Sequence, residues 1–151
     1  MTAYRAPRTV DSVDRTLAMI NYGLLLASLA FAGLPAIAAL LIAYFQRPES
    51  PAPIKGHLTF QIRIFWIGFT LSLAAALCLL GVLVIIGTSV ISSAAHTGVA
   101  VEAFNPGPLG MGLLAAALIC ICLTVLWTIG ACVFGIIRLA GGRGIGQSDT
   151  L

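Results

Sequence analysis

Three apolar runs constrain this chain more than any other feature. They are residues 17–45, 64–91 and 109–139, and none holds an Asp, Glu, Lys or Arg except Arg138 at the edge of the last. A helix of about 20 apolar residues crosses about 30 Å of hydrocarbon. Each run is therefore long enough to cross once, with tilt or with ends reaching past the lipid. The runs lack period-two alternation, and an open sheet edge cannot survive in lipid, so strands are excluded. The expected fold is an all-α membrane protein with three transmembrane helices. Composition agrees: 60% of residues are hydrophobic and 9% charged, against about 25% charged in soluble domains. So few charges cannot cover a soluble core, which excludes a soluble enzyme and a disordered chain. The net charge of +3 is not gathered into a basic patch, which excludes a nucleic-acid module.

The runs divide the chain of 151 residues into an N-terminal juxtamembrane segment (1–16), a transmembrane domain (17–139) and a flexible Gly-rich tail (140–151). The first run is too long for a cleavable signal peptide, and Asp11 and Asp14 interrupt the basic residues before it. Pro35 lies near its middle, removes a backbone donor, and should kink the helix or start a new one. A re-entrant hairpin turning at Gly33-Leu34-Pro35 is the rival reading, with Ala36 to Phe45 too short to cross alone. Residues 46–53 form a proline-broken loop. Lys55 to Arg63 then resumes a helical pattern, expected as a short interfacial helix before the second span. Asn105-Pro106-Gly107-Pro108 is a turn signal, and Gly141-Gly142-Arg143-Gly144 ends the third helix.

Three crossings put the N-terminus and the loop 92–108 on one side. Arg5, Arg8 and Arg15 fall there, against Arg47, Lys55, Arg63, Arg138 and Arg143 on the other side. The positive-inside rule then makes the loop 46–63 and the C-terminus cytoplasmic and the loop 92–108 periplasmic. The hairpin alternative instead gathers all eight basic residues inside.

Helix association in lipid relies on close packing of small residues. Ladders of them run along each span: Ser28, Ala32, Ala36, Ala39 and Ala43; Gly68, Ser72, Ala75 and Ala76; Gly112, Ala116, Cys120, Thr124, Thr128, Ala131 and Gly135. They suit packing within the bundle, or a face for a membrane-protein partner or a second copy.

Chemistry is sparse. His57 and His96 flank the second span, roughly 50 Å or more apart along a helix, so they cannot share a metal or haem. No Ser/His/Asp set can be assembled, and ion-coupled transport usually needs an ionisable residue within a span. Cys78, Cys120, Cys122 and Cys132 all lie in apolar runs and read as soft packing residues. No metal, cofactor or catalytic residue is expected. The most informative stretch is Gly56 to Trp66. On a helix, His57 and Gln61 share one face, while Thr59, Arg63, Trp66 and Thr70 lie opposite. Arg63 and Trp66 are spaced to stack as a cation–π pair, and Arg and Trp are both interfacial anchors. His57, Gln61, Arg63, Trp66 and Arg138 are the candidates for contact with a partner or with the lipid interface.

The same stretch resembles a family of small proteobacterial inner-membrane proteins with no assigned activity. That family is distantly similar to the membrane subunit of the chloroplast inner-envelope protein translocon. The resemblance rests on Ala43, Tyr44 and Arg47, then on His57, Phe60, Gln61, Ile62, Arg63, Phe65 and Trp66, with Trp127, Arg138, Gly141 and Gly142 near the end. Ile64 stands where the family has Thr, and the second loop is longer than the family's link. The resemblance spans roughly 17–142 and implies a small helical protein of the bacterial inner membrane. The expected role is a non-catalytic accessory or assembly subunit of a larger membrane complex. The alternative is a component of an oligomeric translocation or small-solute conduit.

Overall fold

The structure is a computed structural model that describes residues 12–31, 33–97 and 106–145. Its described elements are all helical: α1 (Ser12–Ala27), α2 (Leu34–Gln46), α3 (Ala52–Thr97) and α4 (Gly107–Ala140). At 1.5 Å per residue α3 is about 70 Å long and α4 about 50 Å. Both are long and apolar enough to cross a membrane. α1 and α2, at about 24 and 20 Å, are each shorter than the hydrocarbon core.

The first apolar run is therefore not one kinked helix. It is two helices packed against each other and joined through residues 28–33. Gly33 adopts φ 83°, and Pro35 sits in the first turn of α2. The left-handed region is open to glycine at little cost. Proline is tolerated in a first turn, where its missing N–H has no helical partner to lose. Together they end one helix and begin another, where proline alone in an unbroken helix would only bend it. The face α2 buries is its alanine stripe, Ala36, Ala39 and Ala43, which lets backbones approach closely.

The separate interfacial helix expected before the second span is likewise absent, because α3 runs unbroken from Ala52. Pro48 and Pro51 precede α3, Pro53 sits in its first turn, where proline is tolerated, and no proline follows until Pro106. A hydropathy boundary at residue 64 does not interrupt backbone hydrogen bonding.

The chain clusters into two compact units. One comprises residues 1–68 and 125–151, with α1, α2, the start of α3 and the end of α4. Its buried side chains include Tyr22, Leu25, Leu58, Ile64, Ala131, Cys132 and Leu139. The other comprises residues 69–124, where Ala75, Val82 and Ala117 are buried. There α3 and α4 come close at Gly81, where an added Cβ would lie 3.1 Å from a Leu113 methyl.

α4 closes with paired backbone bonds, Arg143 N–H to Arg138 O (3.0 Å) and Gly142 N–H to Leu139 O (3.1 Å). Gly142 has φ 71°. This is the Schellman arrangement, in which glycine takes the left-handed position just past the helix. It turns the chain so that Gly144 and Ile145 lie against the first turn of α3. A Cβ on Gly144 would be 3.5 Å from Pro53 Cα, and one on Gly56 would collide with the Ile145 carbonyl. The tail expected to be flexible from residue 140 is thus packed through Ile145. Its remaining residues, 146–151, lie outside the described residues, as do residues 98–105 of the loop 92–108.

Candidate functional site

The polar side chains of the first unit converge where α1, α3 and the end of α4 meet. α1 brings Asn21 and Tyr22, each about one turn on from Ala18, and α3 brings His57 and Gln61, four apart and so on one face. All four polar side chains are at most 2% exposed. Two linked sets of bonds join the helices. In the first, the Asn21 amide donates to Gln61 Oε1 at 2.7 Å, and the Gln61 amide donates to the Ala18 carbonyl at 3.0 Å. In the second, the Tyr22 hydroxyl lies 3.2 Å from His57 Nδ1, and His57 Nε2 lies 3.0 Å from the Arg143 carbonyl.

The Arg143 carbonyl can only accept, so His57 Nε2 carries the proton. In the neutral ring Nδ1 is then the acceptor, and the Tyr22 hydroxyl donates to it. The rings meet edge to face, with centroids 6.2 Å apart and planes at 88°. Tyr22 also fills the space over Gly135, where any Cβ would strike its ring and hydroxyl.

Two arginines finish the junction. Arg15 on α1 donates from Nη2 to the Leu139 and Ala140 carbonyls, at 2.7 and 2.5 Å. These are among the last carbonyls of α4, which have no intrahelical donor of their own. A cation there is also favoured by the negative end of the helix dipole, typically by about 0.3–1 kcal/mol and up to about 2 when partly buried. Arg138 donates from Nη1 to the Gly144 carbonyl at 3.0 Å, and its guanidinium carbon lies 5.5 Å from the Phe134 ring centroid.

The five residues singled out in the sequence separate into two groups. His57 and Gln61 are buried, at 1% and 2% exposure, so neither meets lipid or a partner directly. Arg138 is half-buried and tied to its own chain. Arg63 and Trp66 are exposed. The Trp66 indole N–H points to the Tyr44 hydroxyl at a long 3.5 Å, and its ring meets Phe65 edge to face at 5.6 Å. Arg63 lies in a shallow surface groove with Lys55 and Thr59. His57 and Gln61 thus lie on the buried side of α3, and Arg63 and Trp66 on its exposed side.

The sequence reading missed Asn21, Tyr22 and the capping role of Arg15. Asn21 carried a signal, being the lone amide in an otherwise apolar run. Its Oδ1 is buried without a hydrogen-bond partner, an arrangement that costs about 1–3 kcal/mol when water is excluded. All four cysteines are free thiols. Among the described residues, no three His, Cys, Asp or Glu side chains converge to hold a metal.

Apart from Asn21 Oδ1, the polar groups of the junction bond one another or nearby backbone, and these bonds join α1, α3 and the end of α4. No protein-family model matches the chain, and no curated protein or solved structure matches it either.

Proposed function

We propose that the chain is a non-catalytic protein of the bacterial inner membrane that serves a larger membrane complex as an accessory or assembly subunit. The observation that carries this reading is how polarity is distributed. The buried Asn21, Tyr22, His57 and Gln61 bind one another and nearby backbone, while side chains such as Leu77, Leu80, Leu83, Leu118, Leu126 and Ile137 are exposed. A protein built this way presents apolar surface to lipid or to other helices and commits most of the described polar groups of its junction to bonds within the chain. The resemblance to small proteobacterial inner-membrane proteins points the same way.

On this reading α3 and α4 cross the bilayer, and α1 and α2 form a re-entrant hairpin. The Arg15 bonds to the end of α4 support the hairpin over three crossings. They fit an arrangement with residue 15 on the same membrane side as residues 139 and 140, whereas three crossings would put a full bilayer between them. All eight Lys and Arg residues then fall on the cytoplasmic side, as the positive-inside rule favours.

Single cysteines placed at Val13, Lys55 and Glu102, in a background with the four native cysteines replaced, test the topology. The first two should label together from the cytoplasm and the third only from outside. Labelling of position 13 with position 102 would restore three spans. Native electrophoresis of mild-detergent extracts tests the role. A band with other proteins is expected, whereas a homo-oligomer alone would favour the conduit.

A further inference from the structure

The groove beside the junction has the chemistry of a ligand site. It is about 370 Å³ in volume and is lined by Lys55, Gly56, Thr59, Phe60, Arg63 and Ile145, among others. Lys55, Thr59 and Arg63 follow one another at four-residue steps along α3, so they share a face, with the two cations about 12 Å apart along the axis. Thr59 is small, and its hydroxyl is committed to the Lys55 carbonyl at 2.8 Å. It leaves open space between two side chains long enough to bend toward each other over it. Among the described residues, no carboxylate lines the groove. Its floor is apolar, with Phe60 on one side and Ile145 held across Gly56 on the other.

Two cations lining one groove select an anion, and the apolar side chains beside them select one that is part of an amphiphile. Position along the helix agrees. Trp66 and Tyr44, both about half exposed, lie together, and such aromatic residues sit at headgroup level. Arg63 is within one turn of Trp66, at the edge of the hydrocarbon. We infer that this groove binds the phosphodiester of an anionic phospholipid between Lys55 and Arg63, with the lipid's glycerol and upper acyl chain against Phe60. Arg63 provides a planar fork of donors suited to phosphate, and Lys55 a mobile point charge.

The test uses the full chain in a neutral detergent, delipidated and then offered phosphatidylglycerol or phosphatidylcholine, with bound lipid counted by native mass spectrometry. Phosphatidylglycerol should be retained over phosphatidylcholine. One basic residue near an anionic surface is worth about a factor of five in binding. Lys55→Gln with Arg63→Gln should therefore lower phosphatidylglycerol affinity by about 25-fold. Arg47→Gln, which removes an exposed charge outside the groove, should change it less than about twofold. Both variants alter exposed side chains, and unchanged helical circular dichroism confirms the fold. Equal losses from Arg47→Gln and from the double variant would reduce the site to diffuse charge and overturn the proposal. Displacement of the lipid by millimolar inorganic phosphate would overturn the lipid assignment in favour of a small-anion site.

Discussion

Gly135→Ala adds one methyl group to the protein at the point where α4 meets α1. A Cβ there lies 2.5 Å from Tyr22 Cε1 and nearer still to Cζ and the hydroxyl. Carbon atoms pack best at about 3.5–4.0 Å, so the two helices must separate by about 1 Å or the phenol must swing away. Tyr22 has no free space, being 0% exposed, and its hydroxyl is held by His57. Overpacking of this kind costs about 1–3 kcal/mol. Losing the Tyr22–His57 bond with both groups still buried adds about 1–3 kcal/mol. The two penalties overlap, so the expected destabilisation is about 2–4 kcal/mol, read as a lowered midpoint in reversible unfolding in mixed micelles. Internal controls lie on the same helix. A Cβ at Gly112 or Gly130 meets nothing within 4 Å, so alanine there should be neutral or stabilise by up to about 1 kcal/mol. Combining Gly135→Ala with Tyr22→Ala should recover at least about 1 kcal/mol relative to the sum of the single changes. A Gly135→Ala effect within about 0.5 kcal/mol of the Gly130→Ala effect would refute the account.

The remaining predictions concern the amide pair and the tail. Asn21→Leu and Gln61→Leu should each cost about 1–3 kcal/mol, because each strands the other amide in the core. The double change should cost less than the sum by at least about 1 kcal/mol, and additive effects would mean that the pair is not joined. Gly56→Ala should push Ile145 off the start of α3. Limited trypsin digestion after Arg143, followed by intact mass, should then release residues 144–151 several-fold faster than in the unmodified protein. Gly87→Ala, with nothing within 4 Å of its Cβ, should digest at the unmodified rate.

What the sequence makes legible depends on range. The opposed faces of Gly56 to Trp66 follow from helical periodicity, which is local, and so do the glycine stop after α4 and the alanine stripe of α2. Pro35 marks a break, but periodicity does not say whether the chain continues or turns back there. That direction is associated with bonds between Arg15 and carbonyls more than a hundred positions later. The separate interfacial helix was an error of a different kind. Hydropathy changes at residue 64 because the surroundings change, while the backbone continues wherever no proline or left-handed glycine stops it. Small-residue ladders show which faces can approach, yet Gly135 gains its particular role only from an aromatic ring on another helix. Asn21 and Gln61 are each visible as polar residues, but their pairing depends on the register of α1 against α3, which neither segment encodes alone.

The junction also sets a timetable for biosynthesis. Asn21 and Gln61 are 40 positions apart, so at about 5–20 residues per second the amide pair can close about 2–8 s after Asn21 is made. Arg15 and Leu139 are 124 positions apart, so the arginine waits about 6–25 s for the carbonyls it will cap. During that interval α1 is held by α2 and α3, with a guanidinium at its start and no α4 end to receive it. A ribosome stalled before Leu139 would leave the N-terminal hairpin half-docked. Such a chain would hold the amide pair between α1 and α3 but lack the bond that closes α1 onto the end of α4.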